Sequence, residues 1–317
     1  MKTLMLCMIC SCTALASVNI PLEPGAEPPA LLSETGILTS EMLDYKIIQP
    51  LWVDFAVKQR RIFIPEGAKI HFSPTADYKF PVGTVFVKHF QMEVSKDVFR
   101  NIETRVLIRK NGDAPENWVG YTYQWDGADA KLVDAGSNPE VTLQIDETAV
   151  GGARLQKFKI PSRTQCLQCH NESVGFVRSF VTRQLNQNGQ LELFAQKGIF
   201  AQQLEPSSHY EKLAAVTDES ADLGLRARSY ADVNCAHCHN PSDAAMCSFT
   251  GLDFRFAQFS PEALVESGHL VKGDKANSEI FQRMSSVRTG MRMPFIGTTL
   301  RDEAALDTIG RWIDSLH

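Results

Sequence analysis

Short runs rich in Val, Ile, Phe, Tyr and Trp follow one another between residues 45 and 160, separated by Gly, Pro, Asn and Asp. Several runs alternate apolar with polar positions, the pattern of strands with one buried face and one solvated face. Turn signals such as Asp126-Gly127 stand between them. The pattern predicts an all-β, sandwich-like domain over residues 45–160. We expect strands at residues 61–64, 69–72, 84–90, 104–109, 118–125, 141–145 and 155–160.

After Pro161 the apolar positions recur at helical spacing. Between Asp302 and Leu316 they are three and four residues apart, which predicts an amphipathic helix with Asp302 as its N-cap. Residues 223–233 and 278–287 predict two further helices. The predicted fold class is therefore α+β and multidomain, with a β domain followed by a mainly helical region.

The first residues have the pattern of a signal peptide. Lys2 precedes an apolar run over residues 4–10, and Ala14-Leu15-Ala16 offers a small-x-small cleavage site. The run is shorter than the ~20 apolar residues that a transmembrane helix needs. We expect residues 1–16 to be removed and the protein to be periplasmic. In the alternative, residues 9–12 form a lipoprotein processing site, and a lipid on Cys12 anchors the protein to the membrane.

Composition and charge narrow the possible partners. A hydrophobic content of 44% and a charged content of 22% are ordinary for a globular protein. Removing residues 1–16 takes away Lys2 and no acidic residue, so the formal net charge moves from −5 to −6. The chain has no basic stripe, which argues against nucleic acid, and no later apolar run long enough to predict a transmembrane span. Residues 17–44 predict an extended N-terminal segment over the β domain.

Cysteine spacing gives the strongest indication of function. Of the 8 cysteines, three lie in the leader and four form two Cys-x-x-Cys pairs, each followed at once by histidine. These motifs are Cys166-Leu-Gln-Cys169-His170 and Cys235-Ala-His-Cys238-His239, and Cys247 remains outside them. We interpret Cys247 as a buried thiol and His237 as an ordinary loop residue.

Two thiols at this spacing can each attach to a vinyl group of a haem, and the adjoining histidine can then bind the iron. We therefore predict two covalently bound haem c groups, held by Cys166, Cys169, Cys235 and Cys238, with His170 and His239 as metal ligands. Two other readings are a zinc ion held by the four cysteines, and disulfide or thioredoxin-like redox chemistry. The added histidines, the export signal and the lack of a βαβ pattern favour haem.

Met293 is the predicted sixth ligand of the second haem, with Met291 as the next choice. A methionine before proline is held in extended backbone, as a loop crossing a haem face requires. Met284 is read as core packing on a helix. The order of helix, motif, methionine loop and final helix is that of one cytochrome c-like unit, predicted at residues 222–317, so residues 161–221 form the first haem-binding segment.

The sixth ligand of the first haem is left open by the sequence. The candidates are His209, Met284, Met291, His89 and Met92, or the position is free for a small molecule. His71, His89 and Met92 could instead suggest a copper site, although exposed strand residues are the favoured interpretation because no compact His-Cys-Met grouping is present. Arg226 and Arg228 could pair with haem propionates or lie on a solvated helix face.

The chain resembles a family of bacterial dihaem c-type cytochromes of undefined physiological role, in which a non-haem region precedes two haem-binding motifs. The resemblance runs from about Leu32 to Leu316. The matching stretches are residues 50–58, 80–84, 103–105, 163–171 and 226–235. The Met293-Pro294 step is similar to the ligand loop of class I cytochromes c, although Phe295 stands where such loops often carry a second proline. The resemblance implies electron transfer in the periplasm and names no substrate.

These observations together predict an electron-transfer protein with unidentified redox partner proteins. The β domain would then serve as a docking or positioning module. The alternative is a haem enzyme, a peroxidase or another oxidoreductase, whose substrate is handled at an open first haem or by the β domain. Whether the chain is an enzyme is left open by the sequence.

Overall fold

The computed structural model describes residues 18–112 and 117–317 and shows an α+β protein. An antiparallel β-sheet region comes first and a helical region follows it. The predicted leader at residues 1–16, with Cys12, lies outside the described residues. Within the described residues, no helix combines the length and the apolar character needed to cross a membrane.

The strands are β1 (Leu43–Asp44), β2 (Val57–Phe63), β3 (Val85–Ser95), β4 (Val98–Arg109), β5 (Trp118–Asp126), β6 (Asp129–Leu132), β7 (Glu140–Ile145) and β8 (Arg154–Lys159). The α-helices are α1 (Arg163–Cys169), α2 (Thr182–Leu185), α3 (Gln190–Gln196), α4 (Leu223–Asn234), α5 (Pro261–Glu266), α6 (Glu279–Ser285) and α7 (Glu303–Asp314). Short 3-10 turns occur at Leu32–Thr35, Glu172–Val174, Ser207–His209 and Ser248–Thr250.

Strands β1 to β6 form one six-stranded antiparallel sheet in which each strand pairs with the next along the chain. Six of the seven predicted strand segments overlap observed strands, and none of these six extends more than one residue beyond its strand. The prediction at residues 69–72 is wrong, because Ile70 and His71 make only isolated bridges. Two strands were not predicted: β1 has two residues and β6 reads Asp-Ala-Lys-Leu, and neither is rich in β-branched or aromatic residues. The sheet therefore begins at Leu43, before the predicted domain start at residue 45.

The two faces of the sheet are covered by different parts of the chain. Ile20, Leu32 and Ile37 of the N-terminal segment pack on one face. Phe180 and Phe194 from the helical region pack on the other face, with many further aromatic contacts. Most of the sheet thus meets loops and helices instead of a second sheet.

The hairpin of β7 and β8 packs against one end of the large sheet. Its residues Leu143 and Phe158 share a buried cluster with Phe90 and Met92 of β3. Two layers of strands face each other only at this end. This corrects the predicted sandwich, because the apolar faces elsewhere are buried by the N-terminal segment and the helices.

In the helical region, α4 packs against α7. The predicted cap at Asp302 is confirmed, since its carboxylate accepts a hydrogen bond of 3.1 Å from the Ala305 N–H. Arg226 on α4 is 2% exposed and donates to the hydroxyl of Thr308 on α7 at 3.0 Å. Arg226 is therefore a buried link between the two helices, which corrects the interpretations of it as a propionate partner or a solvated residue. In contrast, the guanidinium carbon of Arg228 lies 4.1 Å from the centre of the Phe256 ring.

Candidate functional site

The first Cys-x-x-Cys-His motif lies on α1 and directly after it. Ser162 caps the helix by accepting a hydrogen bond from the Gln165 N–H at 3.4 Å. Cys166 and Cys169 are three residues apart and so project from neighbouring positions on the helix. The helix rests on β5 at Gly120, where an added Cβ would lie 3.3 Å from the Cβ of Cys166. Strand β5 of the β domain therefore supports this motif from one side.

The ring of His170 is held in one tautomer by a backbone contact. Its Nδ1 lies 2.6 Å from the carbonyl oxygen of Phe176. A carbonyl can only accept, so Nδ1 carries the proton and Nε2 presents a lone pair. Burial, with the nearby Lys88 ammonium, lowers the pKa of His170 well below its usual range. A neutral imidazole oriented through its other nitrogen is the usual arrangement of a metal-binding histidine.

The second motif follows the last turn of α4. The N–H of Cys238 and the N–H of His239 both donate to the carbonyl of Cys235, at 3.1 and 2.9 Å. The chain therefore turns tightly and brings the three side chains to the wall of one cavity. Burial raises the pKa values of the Cys235 and Cys238 thiols to about 12. Both sulfurs are protonated at neutral pH.

The hydroxyl of Thr250 orients the ring of His239, and its proton is donated in another hydrogen bond. Thr250 Oγ1 donates to the carbonyl of Cys247 at 2.7 Å, and His239 Nδ1 lies 3.2 Å from the same oxygen. The imidazole must then donate through Nδ1, which leaves its Nε2 unprotonated. Both motif histidines thus have the same tautomer, and each presents Nε2 as a potential metal-binding atom.

The second motif opens on a largely apolar cavity of about 1390 Å³, counting the part that is open to solvent. Met293 lines this cavity together with His239, and so does Met284 on α6. Met291 is 38% exposed and does not line it. The structure thus brings the first-choice methionine to the cavity of the second motif. Met284 packs against the buried cluster of the helical region, as predicted, and it also lines this cavity.

The first motif opens on a separate cavity of about 1200 Å³, again counting solvent-open space. Its wall comes from both halves of the chain: strands β2 to β5 lie on one side and the segment after α1 on the other. Among the described lining residues, His170 is the one histidine, and no methionine is present.

The sequence candidates for a sixth ligand at this first cavity lie elsewhere. His89 faces away and uses both ring nitrogens, on Thr104 at 2.9 Å and Asn101 at 3.1 Å. Met92 is buried near the β7–β8 hairpin, and His209 is exposed near Glu205. These three residues are thus separated from the cavity of the first motif.

The copper and zinc hypotheses both require a cluster of metal-binding side chains. His71 is exposed and pairs through its backbone with Lys79. Across residues 18–112 and 117–317, no group of three or more His, Cys, Asp or Glu residues is placed to hold a metal ion. All five cysteines of these residues are free thiols.

The two cavities lie side by side, and Cys169 lines both of them. The segments that carry the motifs also contact each other. Asn171 Nδ2 lies 3.5 Å from the carbonyl of His237, and Asn240 Nδ2 donates to Ser173 Oγ at 3.2 Å. The chain thus folds two motifs that are 69 positions apart in sequence into one continuous site.

No protein-family model, curated protein or solved structure matches this chain. The residues and the geometry of the site are therefore the basis for assigning a function to this chain.

The segment before β2 is a part of the site that the sequence did not reveal. Trp52 N–H donates to Asn234, directly before the second motif, at 2.8 Å. Asp54 is 2% exposed, and its carboxylate accepts from the backbone N–H groups of Thr299 at 2.6 Å and Leu300 at 3.0 Å. These contacts join the β domain to the loop that follows Met293. The residues come from distant parts of the sequence, so no spacing could have indicated them.

The environment of His237 in the second motif differs from the predicted one. It is 5% exposed, and its Nδ1 has no hydrogen-bond partner among the described residues. The ring lines the cavity of the second motif, which corrects its interpretation as an ordinary loop residue.

Proposed function

We propose that this chain is an exported dihaem c-type cytochrome that transfers electrons in the periplasm. The observation that carries the proposal is the pair of adjoining cavities, each opening from one Cys-x-x-Cys-His motif and sharing Cys169 in their walls. Electron transfer slows steeply with distance, so two redox centres in adjoining cavities can exchange electrons. The helical region with the second motif is proposed to be cytochrome c-like.

The four motif thiols would attach the haems. Each thiol adds across one vinyl double bond: a sulfur–carbon bond forms, and the thiol hydrogen passes to the neighbouring carbon. Cys166 and Cys169 would hold the first haem, and Cys235 and Cys238 the second. The free state of all four thiols and the large cavities beside them fit this role.

The histidines would bind iron through Nε2, the nitrogen that both tautomers leave available. Each bound haem supplies a one-electron Fe(III)/Fe(II) couple. Met293 would place its thioether in the second cavity as the sixth ligand, and ligation by histidine and methionine raises the reduction potential above that of two histidines. The second site is therefore proposed as the higher-potential one.

The β domain is proposed to complete the first site, beyond any docking role. Four of its strands form one wall of the first cavity. Removing them would open that cavity to water. The partners that deliver and receive electrons are proposed to be soluble redox proteins of the same compartment.

A pyridine haemochrome measurement on the full chain tests the cofactor content. After expression in a host that matures c-type cytochromes, we expect two covalent haems per chain, because both motifs present free thiols beside a cavity. A chain that carries one haem would remove half of the proposal. A colourless or zinc-containing chain would contradict all of it.

A haem enzyme is the second candidate, and one observation favours it. No methionine and no histidine other than His170 lies among the described lining of the first cavity, so the two commonest sixth ligands of a c-type haem are missing there. An iron without a sixth protein ligand admits a small substrate.

Spectra of the ferric protein separate the two candidates. An open first iron is expected to give a high-spin component that cyanide converts to low spin in one of the two haems. Two low-spin haems that ignore cyanide would favour electron transfer alone.

A further inference from the structure

The cavity of the first motif has an unusual concentration of positive charge. Five of its lining residues are basic, and none of its described lining residues is acidic. The five are Lys58, Arg60, Lys88, Arg105 and Arg178. Buried basic side chains are uncommon unless an anion accompanies them.

Three of these cations are direct neighbours across the sheet. In the strand register Arg60 on β2 lies opposite Lys88 on β3, and Lys88 lies opposite Arg105 on β4. Like charges that are directly opposite each other destabilise a sheet. Burial, with the nearby Arg60, Arg178 and Arg105 side chains, lowers the pKa of Lys88 to about 7. The fold thus maintains a repulsive arrangement at this wall.

The protein itself supplies little negative charge in return. Glu103, which is fully buried, forms an ion pair with Arg105, and no other ion pair to the five cations exists among the described residues. The Nε atoms of Arg60 and Arg105 are buried without an acceptor. Guanidinium N–H groups without partners indicate a missing acceptor.

We propose that this wall binds a small inorganic oxyanion beside the iron of the first haem, an inference that rests on the proposed function. Burial lowers the pKa of Lys58 well below its usual range, so the three arginines are the cations that stay fully charged. Glu103 offsets one of them. A ferric haem, with two propionates and one positive charge on its iron–porphyrin core, would offset one more, so positive charge remains. Planar guanidinium groups suit pairs of oxygen atoms, which an oxyanion provides. His170 would bind the first iron through Nε2, and neither a methionine nor a second histidine lines the described part of the cavity to compete with such a ligand.

Nitrite is a suitable probe, because it is a small oxyanion that can also bind iron. The ferric holoprotein is titrated with nitrite and, separately, with neutral imidazole, while the absorption of the first haem is recorded. Lys88→Met and Arg60→Gln are each expected to weaken nitrite binding about ten-fold and to leave imidazole binding unchanged. Lys131→Met, which removes an exposed lysine of β6, is the matched control and is expected to bind nitrite as the wild type does.

The haem content of every sample is measured alongside, so that the two proposals can fail separately. Two haems per chain with no nitrite-dependent change would overturn the oxyanion site and leave the proposed function standing. Equal nitrite affinity in the wild type and in both cavity variants would also overturn it, since the anion would then bind elsewhere. A wild-type chain without the first haem would overturn the oxyanion site together with the first-haem half of the proposed function. Circular dichroism verifies that the variants fold.

Discussion

Replacing Cys166 and Cys169 with alanine is expected to lower the covalent haem content from two per chain to one. Both proposed attachment points of the first haem are lost, and His170 alone cannot retain a haem through denaturing conditions. The second haem is expected to stay, because Cys235, Cys238 and His239 are positioned by α4 and by the Thr250 hydroxyl. Haem-stained denaturing gels and pyridine haemochrome measurements both report the change.

Cys247→Ala is the matched control for this experiment. Cys247 is a buried free thiol that belongs to neither motif, so its replacement is expected to leave two haems. If the double variant kept two haems, or if the control lost one, the assignment of thiols to haems would be wrong. The double variant also isolates the second haem, so its potential can be measured without overlap.

The parts of the fold that the sequence predicted are those governed by local periodicity. Strands β3 to β5 carry long apolar or alternating runs, and α7 carries a clear apolar stripe. The segment at residues 69–72 has similar composition but pairs only at single bridges. Its residues pack against the helical region instead, and that contact depends on a part of the chain far away in sequence.

The motif residues could be predicted because their chemistry is contained in five consecutive positions. The five basic residues that line the first cavity could not be predicted in this way. Residues 57–61 of β2 lack a regular apolar–polar alternation, so the sequence gives no reason to bury the basic residues Lys58 and Arg60, yet both line a cavity. Periodicity separates the two faces of a strand but cannot distinguish water from a cofactor-sized cavity. Likewise the contacts of Asp54 could not be predicted, because its hydrogen-bond partners are about 245 positions away in the sequence.

The segment between residues 51 and 54 connects both halves of the site. Leu51 lines both cavities, and Trp52 contacts Asn234 before the second motif. Asp54 and Phe55 have φ values of 46° and 67°, in a region that residues other than glycine seldom adopt. Such backbone strain persists where the surrounding contacts determine the conformation. The contacts of this segment therefore hold Thr299 and Leu300, at the end of the loop that carries Met293.

Asp54→Ala is accordingly expected to disturb the second haem although residue 54 lies in the β domain. The substitution removes three hydrogen bonds to the carboxylate, from the Thr299 N–H, the Thr299 hydroxyl and the Leu300 N–H. It leaves two backbone donors without their acceptor. We expect the free energy of unfolding to fall by roughly 3 kcal/mol. Chemical denaturation followed by circular dichroism measures this loss.

The reduction potential of the second haem separates a positioning role from a merely structural one. If Asp54 holds the loop of Met293 against the cavity, the alanine variant should lose methionine ligation and its potential should fall, since methionine ligation raises it. The long-wavelength absorption band of methionine-ligated ferric haem should weaken in parallel. Asp134→Ala removes an exposed carboxylate of the same domain and is expected to change neither property. A destabilised Asp54→Ala variant with unaltered potential and absorption would show that the Met293 loop is positioned without this carboxylate.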